Sequence, residues 1–274
     1  MMELVIVTGA SSNHFRALRN LLYSISKFEP NTPTIVYDLG LNINERETLK
    51  KGKYDLIQFE YEKYPPYFNI QIESGQYAWK PVIISDVMNR MNVPVLWLDA
   101  GNLIQNRVDR IRHILANEGF YSPTSTGTIR QWTHPGTLAY LNAPTTLLSK
   151  ANRNGAIVGL APARPGIAEL VERWKQCALD IACIAPCGSN RSNHRQDQAV
   201  LSVLAYQFQD KYRYKLEDRR FDITIHNDEV SPMVARILLN LPLPIRHFLF
   251  TLCRKWIIYT RRKRQSRRSK LNES

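Results

Sequence analysis

The stretch ELVIVTGASSNHFRALRNLLYSISKF, residues 3–28, decides the fold. It opens on an apolar run that ends at Gly9, passes through the polar Ala10-Ser11-Ser12-Asn13, and continues with apolar residues at 15, 18, 21, 22, 25 and 28. That second spacing is helical, whereas the first run has the length and character of a buried strand. Thr34-Ile35-Val36-Tyr37 reads as a second strand and stops at Asp38-Leu39-Gly40. Asn44 is expected to cap a short helix through Lys51, because Asn-Glu-Arg-Glu joins a capping side chain to an acidic first turn. Residues 55–59, DLIQF, supply a third strand. Strand, helix, strand, helix, strand in sixty residues predicts an α/β protein with a parallel, doubly wound central sheet.

Further along, a Pro/Tyr-rich loop over 61–68 leads to a helix over 78–91, with Pro81 near its start, where a missing amide proton costs nothing. Residues 93–98, VPVLWL, form a buried strand that ends in Asp99-Ala100-Gly101-Asn102. The pattern then predicts a helix over 110–118, a strand over 119–122 and a strand over 155–159. It adds helices over 167–182 and 197–208, and a last strand over 220–225 before His226-Asn227-Asp228. Residues 124–142, rich in Thr, Gly and Pro, read as one long loop of the kind that carries function.

The net charge of +13 is concentrated at one end. Residues 232–274 hold eleven Lys or Arg against one acid, while residues 1–231 hold 26 basic and 23 acidic residues. This divides the chain into a nearly neutral body, 1–231, and a basic tail, 232–274. The amino terminus lacks the basic start and apolar length of a signal peptide. No window reaches the roughly 18–20 apolar residues of a spanning helix. Four cysteines do not suggest a disulfide scaffold. Cys177, Cys183 and Cys187, with His194 as a fourth ligand, are a weak zinc pattern, and packed thiols are the better reading.

Ligands of open parallel sheets bind at the carboxyl ends of the strands. Here those ends present Thr8-Gly9-Ala10, Asp38, Asp99-Ala100-Gly101 and His226. The chain lacks both the Gly-x-Gly-x-x-Gly run of a dinucleotide fold and the Gly-Lys-Ser/Thr of a phosphate loop. A carboxylate at the end of Val-Pro-Val-Leu-Trp-Leu suits a hard divalent ion, which takes one or two carboxylates plus substrate phosphates. It equally suits a turn cap at Ala100-Gly101.

Trp79-Lys80-Pro81, followed by Trp97-Leu98-Asp99-Ala100-Gly101, resembles the nucleotide-diphospho-sugar transferase superfamily, the A-type glycosyltransferase fold. The closest resemblance is to a little-characterised glycosyltransferase-like family. It is carried in order by Val36-Tyr37-Asp38-Leu39-Gly40-Leu41, Tyr77-Ala78-Trp79-Lys80-Pro81, Trp97-Leu98-Asp99-Ala100-Gly101, Trp132-Thr133-His134-Pro135 and Asn193-His194-Arg195-Gln196-Asp197-Gln198. It spans roughly residues 3–210. The resemblance implies one mostly parallel Rossmann-like domain and transfer of a sugar from a nucleotide-diphosphate donor to a glycan or lipid-linked acceptor.

By the same resemblance Asp99 corresponds to the first acid of an Asp-x-Asp that holds Mn²⁺ or Mg²⁺, while Gly101 replaces the second. His226 or Asn102 would complete the shell, or Lys80 and Arg195 would neutralise the diphosphate directly. Thr8, Gly9 and Asp38 fall on the nucleoside side, with Asp38 also readable as a turn residue. Trp79, Lys80, Asp99, Ala100 and Gly101 fall along the donor, and Trp132 and His134 on the acceptor side. Asp197, with Arg195 beside it, corresponds to the acidic residue facing the reacting sugar, as a base or as an orienting group. Asp197 is also readable as a helix-start carboxylate, His134 as a loop-packing histidine, and both tryptophans as core.

In the tail, Ile245, Phe248, Leu249, Leu252, Trp256 and Tyr259 share one helical face, with Arg246, Arg254 and Arg261 elsewhere on the wheel. Arg261-Arg262-Lys263-Arg264-Gln265-Ser266-Arg267-Arg268 follows. An amphipathic helix and a polybasic run together point to an anionic membrane surface, and so to peripheral attachment at the cytoplasmic leaflet. The body offers no basic, aromatic-studded groove, so no nucleic-acid partner is expected. Two rival readings remain: a catalytically silent binder of sugar nucleotides or glycans, which the missing second acid favours, and a nucleotidyltransferase, which the lack of a Gly-rich basic loop disfavours.

Overall fold

The computed structural model describes residues 3–253, and the calls on Trp256, Tyr259 and the polybasic run lie outside them. The strands are β1 (Val5–Ala10), β2 (Thr34–Asp38), β3 (Asp55–Gln58), β4 (Val95–Leu98), β5 (Leu103–Ile104), β6 (Phe120–Tyr121), β7 (Thr124–Thr128), β8 (Ala151–Arg153), β9 (Ile157–Leu160) and β10 (Ile223–Thr224). The helices are α1 (Phe15–Phe28), α2 (Ile43–Lys50), α3 (Trp79–Met91), α4 (Asp109–Glu118), α5 (Ile129–Trp132), α6 (Pro135–Tyr140), α7 (Ile167–Ala178), α8 (Ile181–Ile184), α9 (Gln196–Tyr212) and α10 (Pro232–Leu239).

The chain divides into two compact units. The first, residues 1–12, 32–99 and 108–221, holds a six-stranded sheet of order β3-β2-β1-β4-β9-β6. From β3 to β4 the strands are parallel, and β9 and β6 join antiparallel. Val7 lies between Ile35 and Trp97 in register, and every residue of β1 is buried. Such two-sided burial is why ELVIVT reads as a continuous apolar run rather than an alternation. The architecture is therefore the mostly parallel α/β sheet expected from residues 3–59.

The second unit comprises residues 13–31, 100–107 and 222 onward. Its strands β5 and β10 pair antiparallel, so the last strand joins this small ribbon and not the main sheet. Leu103, Val230, Ala235, Leu238, Leu239 and Phe250 form its core. Residues 243–253 are helical, and Arg246 decides how they pack. Its buried guanidinium donates to the carbonyls of Gln105 and Leu241 and stacks on Phe28, 4.8 Å from the ring centroid. The wheel put Arg246 on the polar side and Leu249 on the lipid side. Instead Arg246 and Phe250 face inward, Leu249 packs beside them, and Ile245, Phe248 and Leu252 stay exposed. No helix among the described residues is long and apolar enough to cross a membrane.

Three local expectations are corrected. Asn42, not Asn44, caps α2, because a capping box needs the acid three positions on: Asn42 accepts from the Glu45 amide, and the Glu45 carboxylate accepts from the Asn42 amide. Residues 124–142 are not one loop but contain β7, α5 and α6, the last two being too short to show a period. Cys177 and Cys183 are not packed thiols. The helix read as continuous over 167–182 breaks after Ala178, which brings their Cα atoms to 5.2 Å, and they form a disulfide.

Candidate active site

At the carboxyl end of β4, within the first unit, one buried ammonium sits between two carboxylates. Lys80 Nζ lies 3.2 Å from Asp99 Oδ1 and 2.9 Å from Asp197 Oδ2, and donates to the Gly155 carbonyl at 3.0 Å. Its remaining surroundings are the rings of Tyr77, Trp79 and Trp97, each 5.7 to 5.9 Å from Nζ. Burial pulls the ammonium toward deprotonation, but the Asp197 and Asp99 charges override it and hold its pKa above the ordinary lysine value. The Asp197 carboxyl is pushed up to about 6 by burial, against the pull of Lys80. One cation against two carboxylates leaves one negative charge in excess, and burial favours the protonated form of Asp197.

Local backbone geometry places each member. Asp99 follows the last residue of β4, with its amide donating to the Ala156 carbonyl at 2.9 Å and its Oδ1 accepting from Trp97 Nε1 at 2.6 Å. Asp197 lies in the first turn of α9, where Trp174 Nε1 donates to its carbonyl at 3.0 Å. Gly155 is required by close approach, since a Cβ there would stand 3.0 Å from Gln198 Cβ and 3.4 Å from Asp197 Oδ2. Lys80 is the second residue of α3, which follows an unusual left-handed turn in which Glu73, Ser74, Gly75, Gln76 and Tyr77 all have φ between 45° and 61°. Left-handed geometry costs roughly 1–2 kcal/mol per non-glycine residue, and such runs persist only where contacts hold them, most often at functional sites. Here Trp79 Nε1 donates to the Ser74 carbonyl at 3.0 Å, Gln76 donates to Glu73 at 2.6 Å, and Gly75 presses on the Phe68 carbonyl where a Cβ would clash at 2.2 Å. The turn delivers the half-buried Tyr77 ring beside Lys80.

The loop before α9 carries the remaining polar groups. Arg195 is the cap residue of α9 and stacks on Trp132, with Cζ 4.0 Å from the ring centroid and its amide donating to the Trp132 carbonyl at 3.0 Å. Arg191 lies over Tyr77 at 5.6 Å. His134 caps α6, its Nδ1 accepting from the Gly136 amide at 3.1 Å. His194 is fully buried: Nδ1 accepts from the His134 amide at 3.2 Å and Nε2 donates to the Ile184 carbonyl at 2.9 Å. Burial lowers its pKa to about 4, so it is a neutral, satisfied core histidine. With Cys177 and Cys183 paired, the zinc pattern is dissolved.

The structure thus brings together Lys80, Asp99 and Asp197, and groups Trp132, His134 and Arg195 around the loop before α9. Trp79 is buried beside Lys80 as part of the core. Thr8 is buried in β1 with an Oγ1 that has no hydrogen-bond partner, and Gly9 packs against Leu39 and Trp97. The Asp38 carboxylate is occupied by its own turn, accepting from the Gly40 and Leu41 amides at 2.8 and 2.7 Å and from Arg46 Nε at 2.5 Å. Ala100, Gly101 and His226 belong to the second unit. There the space before Gly101 is filled: a Cβ at 101 would meet Asp228 Oδ2 at 2.7 Å, and Asp228 pairs with His14 Nδ1 at 3.0 Å. His226 is exposed, with φ 59°. Among the described residues no group of three or more His, Cys, Asp or Glu is gathered to hold a metal ion. The Asp99 side chain is 36% exposed.

Tyr77, Gly155 and Arg191 were missed as site residues. Tyr77 stood inside a quoted motif, but nothing in its spacing announces a left-handed turn. Arg191 lies in an aperiodic polar loop.

The family described as a protein of unknown function (DUF1647) matches residues 1–85. A comparison with curated proteins finds no match. Among solved structures, the galactosyltransferase LgtC in complex with donor and acceptor sugar analogs is similar over 89% of this chain and 99% of its own, with a TM-score of 0.52 at 15% identity. The bifunctional glycosyltransferase WbbM covers 80% of this chain over 39% of its own at 12% identity and a TM-score of 0.49. Mouse xyloside xylosyltransferase 1 covers 80% over 84% of its own at 13% identity and a TM-score of 0.44. The chain has the A-type glycosyltransferase fold, as the resemblance implied.

Proposed function

We propose that this protein is a glycosyltransferase that moves a sugar from a nucleoside-diphosphate donor to a glycan or lipid-linked acceptor. The observation that carries the reading is the Lys80 ammonium fixed between Asp99 and Asp197 at a strand end of an A-type glycosyltransferase fold. In this reading Asp99 stands on the donor side. Asp197 faces the acceptor, where its raised pKa suits a group that takes a hydroxyl proton. Lys80 orients both carboxylates, and Thr8 Oγ1 supplies a free polar atom on the nucleoside side. A donor-borne Mn²⁺ or Mg²⁺ would be held by Asp99 and would neutralise charge on the departing diphosphate. The exposed residues Ile245, Phe248 and Leu252, followed by the basic run, support attachment to an anionic membrane surface. The buried Cys177–Cys183 pair favours an oxidising compartment over the cytoplasmic leaflet.

The second reading, a silent sugar-nucleotide or glycan binder, is favoured by one observation: Gly101 supplies no acid and Lys80 is saturated by carboxylates. Thermal stability against a panel of nucleoside diphosphates, with and without Mn²⁺, tests the first. A ligand at a hundred times its dissociation constant stabilises by about 2.7 kcal/mol. Stabilisation by one nucleotide, lost in Asp99→Ala, supports the donor site. Donor turnover by the wild type then separates transferase from binder. No response to any nucleotide sinks the donor reading.

A further inference from the structure

Several cations of the first unit are ion-paired: Arg46 meets Asp38, Arg153 meets Asp218, Arg112 meets Asp109, and Lys80 meets two acids. Arg191 and Arg195 are not, for neither guanidinium meets a carboxylate among the described residues. Each is held instead by an aromatic face, Tyr77 for Arg191 and Trp132 for Arg195. A guanidinium held over a ring rather than by a carboxylate keeps donors for a ligand, and its fork can grip phosphate and carboxylate oxygens in pairs.

The two stand four positions apart on the loop that enters α9, one over Tyr77 and the other over Trp132. Burial, and then the Arg191 charge, pull the Arg195 pKa down, and a bound anion would offset that repulsion. The backbone beneath them is set in advance. Asn190 Oδ1 accepts from the Ser192 amide at 2.9 Å, the His194 amide donates to the Asn190 carbonyl at 2.8 Å, and the His194 ring is pinned on both nitrogens. Little ordering therefore remains for a ligand to drive. Location follows from shared groups: Tyr77 lies between Arg191 and Lys80, and Arg195 is two residues before Asp197.

We propose that Arg191 and Arg195 form a two-arginine clamp for an oxyanion, phosphate or carboxylate, bound beside the Lys80–Asp99–Asp197 centre. Two sources fit that chemistry: the diphosphate of the donor, or an acidic group on the acceptor sugar. Only the choice between them rests on the transferase reading. The clamp itself does not.

The test is a pyrophosphate titration of the full chain at low ionic strength, read by thermal shift, on wild type, Arg191→Gln, Arg195→Gln and Arg195→Lys. Each glutamine variant is expected to weaken binding about tenfold and the double variant about a hundredfold, with Arg195→Lys between, because lysine keeps the charge but not the fork. Arg191 is exposed, so Arg191→Gln keeps the test valid should Arg195→Gln unfold. Parallel arms use nucleoside diphosphates and acidic sugars such as glucuronate. A nucleoside diphosphate weakened by the variants assigns the clamp to the donor. An acidic sugar weakened with nucleotide affinity intact assigns it to the acceptor. Nucleotide binding with no anion affected by either variant overturns the clamp and leaves the transferase reading standing. Anion binding through the arginines with no nucleotide bound does the reverse. A wild type that responds to none of these anions overturns the clamp.

Discussion

The Lys80 centre and the C-terminal helical surface depart from ordinary protein architecture in opposite directions. One buries an ammonium and a carboxylate beside a second, part-exposed carboxylate; the other exposes large apolar side chains, Met233 and Ile237 on α10 and Ile245, Phe248 and Leu252 on the helix over 243–253. Buried charge is tolerated only when paired, so the Lys80 centre is completed from inside the fold and is costly to disturb. Exposed hydrocarbon leaves the fold nearly indifferent and draws its consequence from outside, from whatever covers it. The contrast makes a physical claim. Substitutions in the first region should be read in stability as well as activity, and substitutions in the second in partitioning alone.

The sharpest way to break that comparison is Lys80→Ala. It leaves the Asp99 and Asp197 carboxylates facing each other without a cation, and a destabilisation of about 3–5 kcal/mol is expected in urea denaturation. A loss under 1 kcal/mol would mean that water or a counter-ion readily takes the ammonium's place, and that the centre is not a closed unit.

Next in size is a pH effect at His194. Its pKa in the folded protein is about 4, below the ordinary 6.5, so the unfolded chain binds the extra proton first as pH falls. The stability it secures is complete above about 6.5 and drains away as pH drops toward 4, to the extent of roughly 3 kcal/mol. His194→Gln should flatten that part of the stability–pH curve. An unchanged slope would show that the histidine is not buried neutral. Smaller again is the Cys177–Cys183 bridge, which closes a short loop. Cys177→Ser with Cys183→Ser should cost about 2 kcal/mol. Thiol alkylation followed by mass spectrometry of the unreduced protein should label Cys187 and leave Cys177 and Cys183 unlabelled. Labelling of all three would remove the argument for an oxidising compartment.

These effects also mark what could be read before the fold was seen. The sheet was legible because β1, β2 and β4 are buried on both faces and so appear as apolar runs, and α1 because its period holds over fourteen residues. Asp99 was legible because a charged residue ends such a run. Lys80 and Asp197 were legible only through their motifs, since nothing in a lone lysine at a helix start tells which carboxylates it will meet across the fold. The disulfide and the inward turn of Arg246 were not legible. Each depends on where a helix breaks or which face docks, and helical periodicity treats a buried, hydrogen-bonded arginine as a polar-face residue. The left-handed turn over Glu73 to Tyr77 is the extreme case: four of its five residues have no propensity for that conformation, and the contacts that enforce it are tertiary.

The smallest expected effect on stability is the one that tests the other half of the comparison. Phe248→Ser and Ile237→Ser remove hydrocarbon that is more than half exposed, so each should change unfolding free energy by no more than about 0.5 kcal/mol. Covering a phenylalanine side chain in an apolar phase is worth about 1.5–3 kcal/mol. Sedimentation with vesicles containing phosphatidylserine should therefore fall about tenfold or more for Phe248→Ser, and less for Ile237→Ser, with both losses persisting at high salt while the contribution of the basic run is screened. Equal binding by the variants and wild type, with all attraction abolished by salt, would assign attachment to charge alone. A substantial loss of stability in Phe248→Ser would show instead that this face is covered by protein, and the two regions would no longer differ in kind.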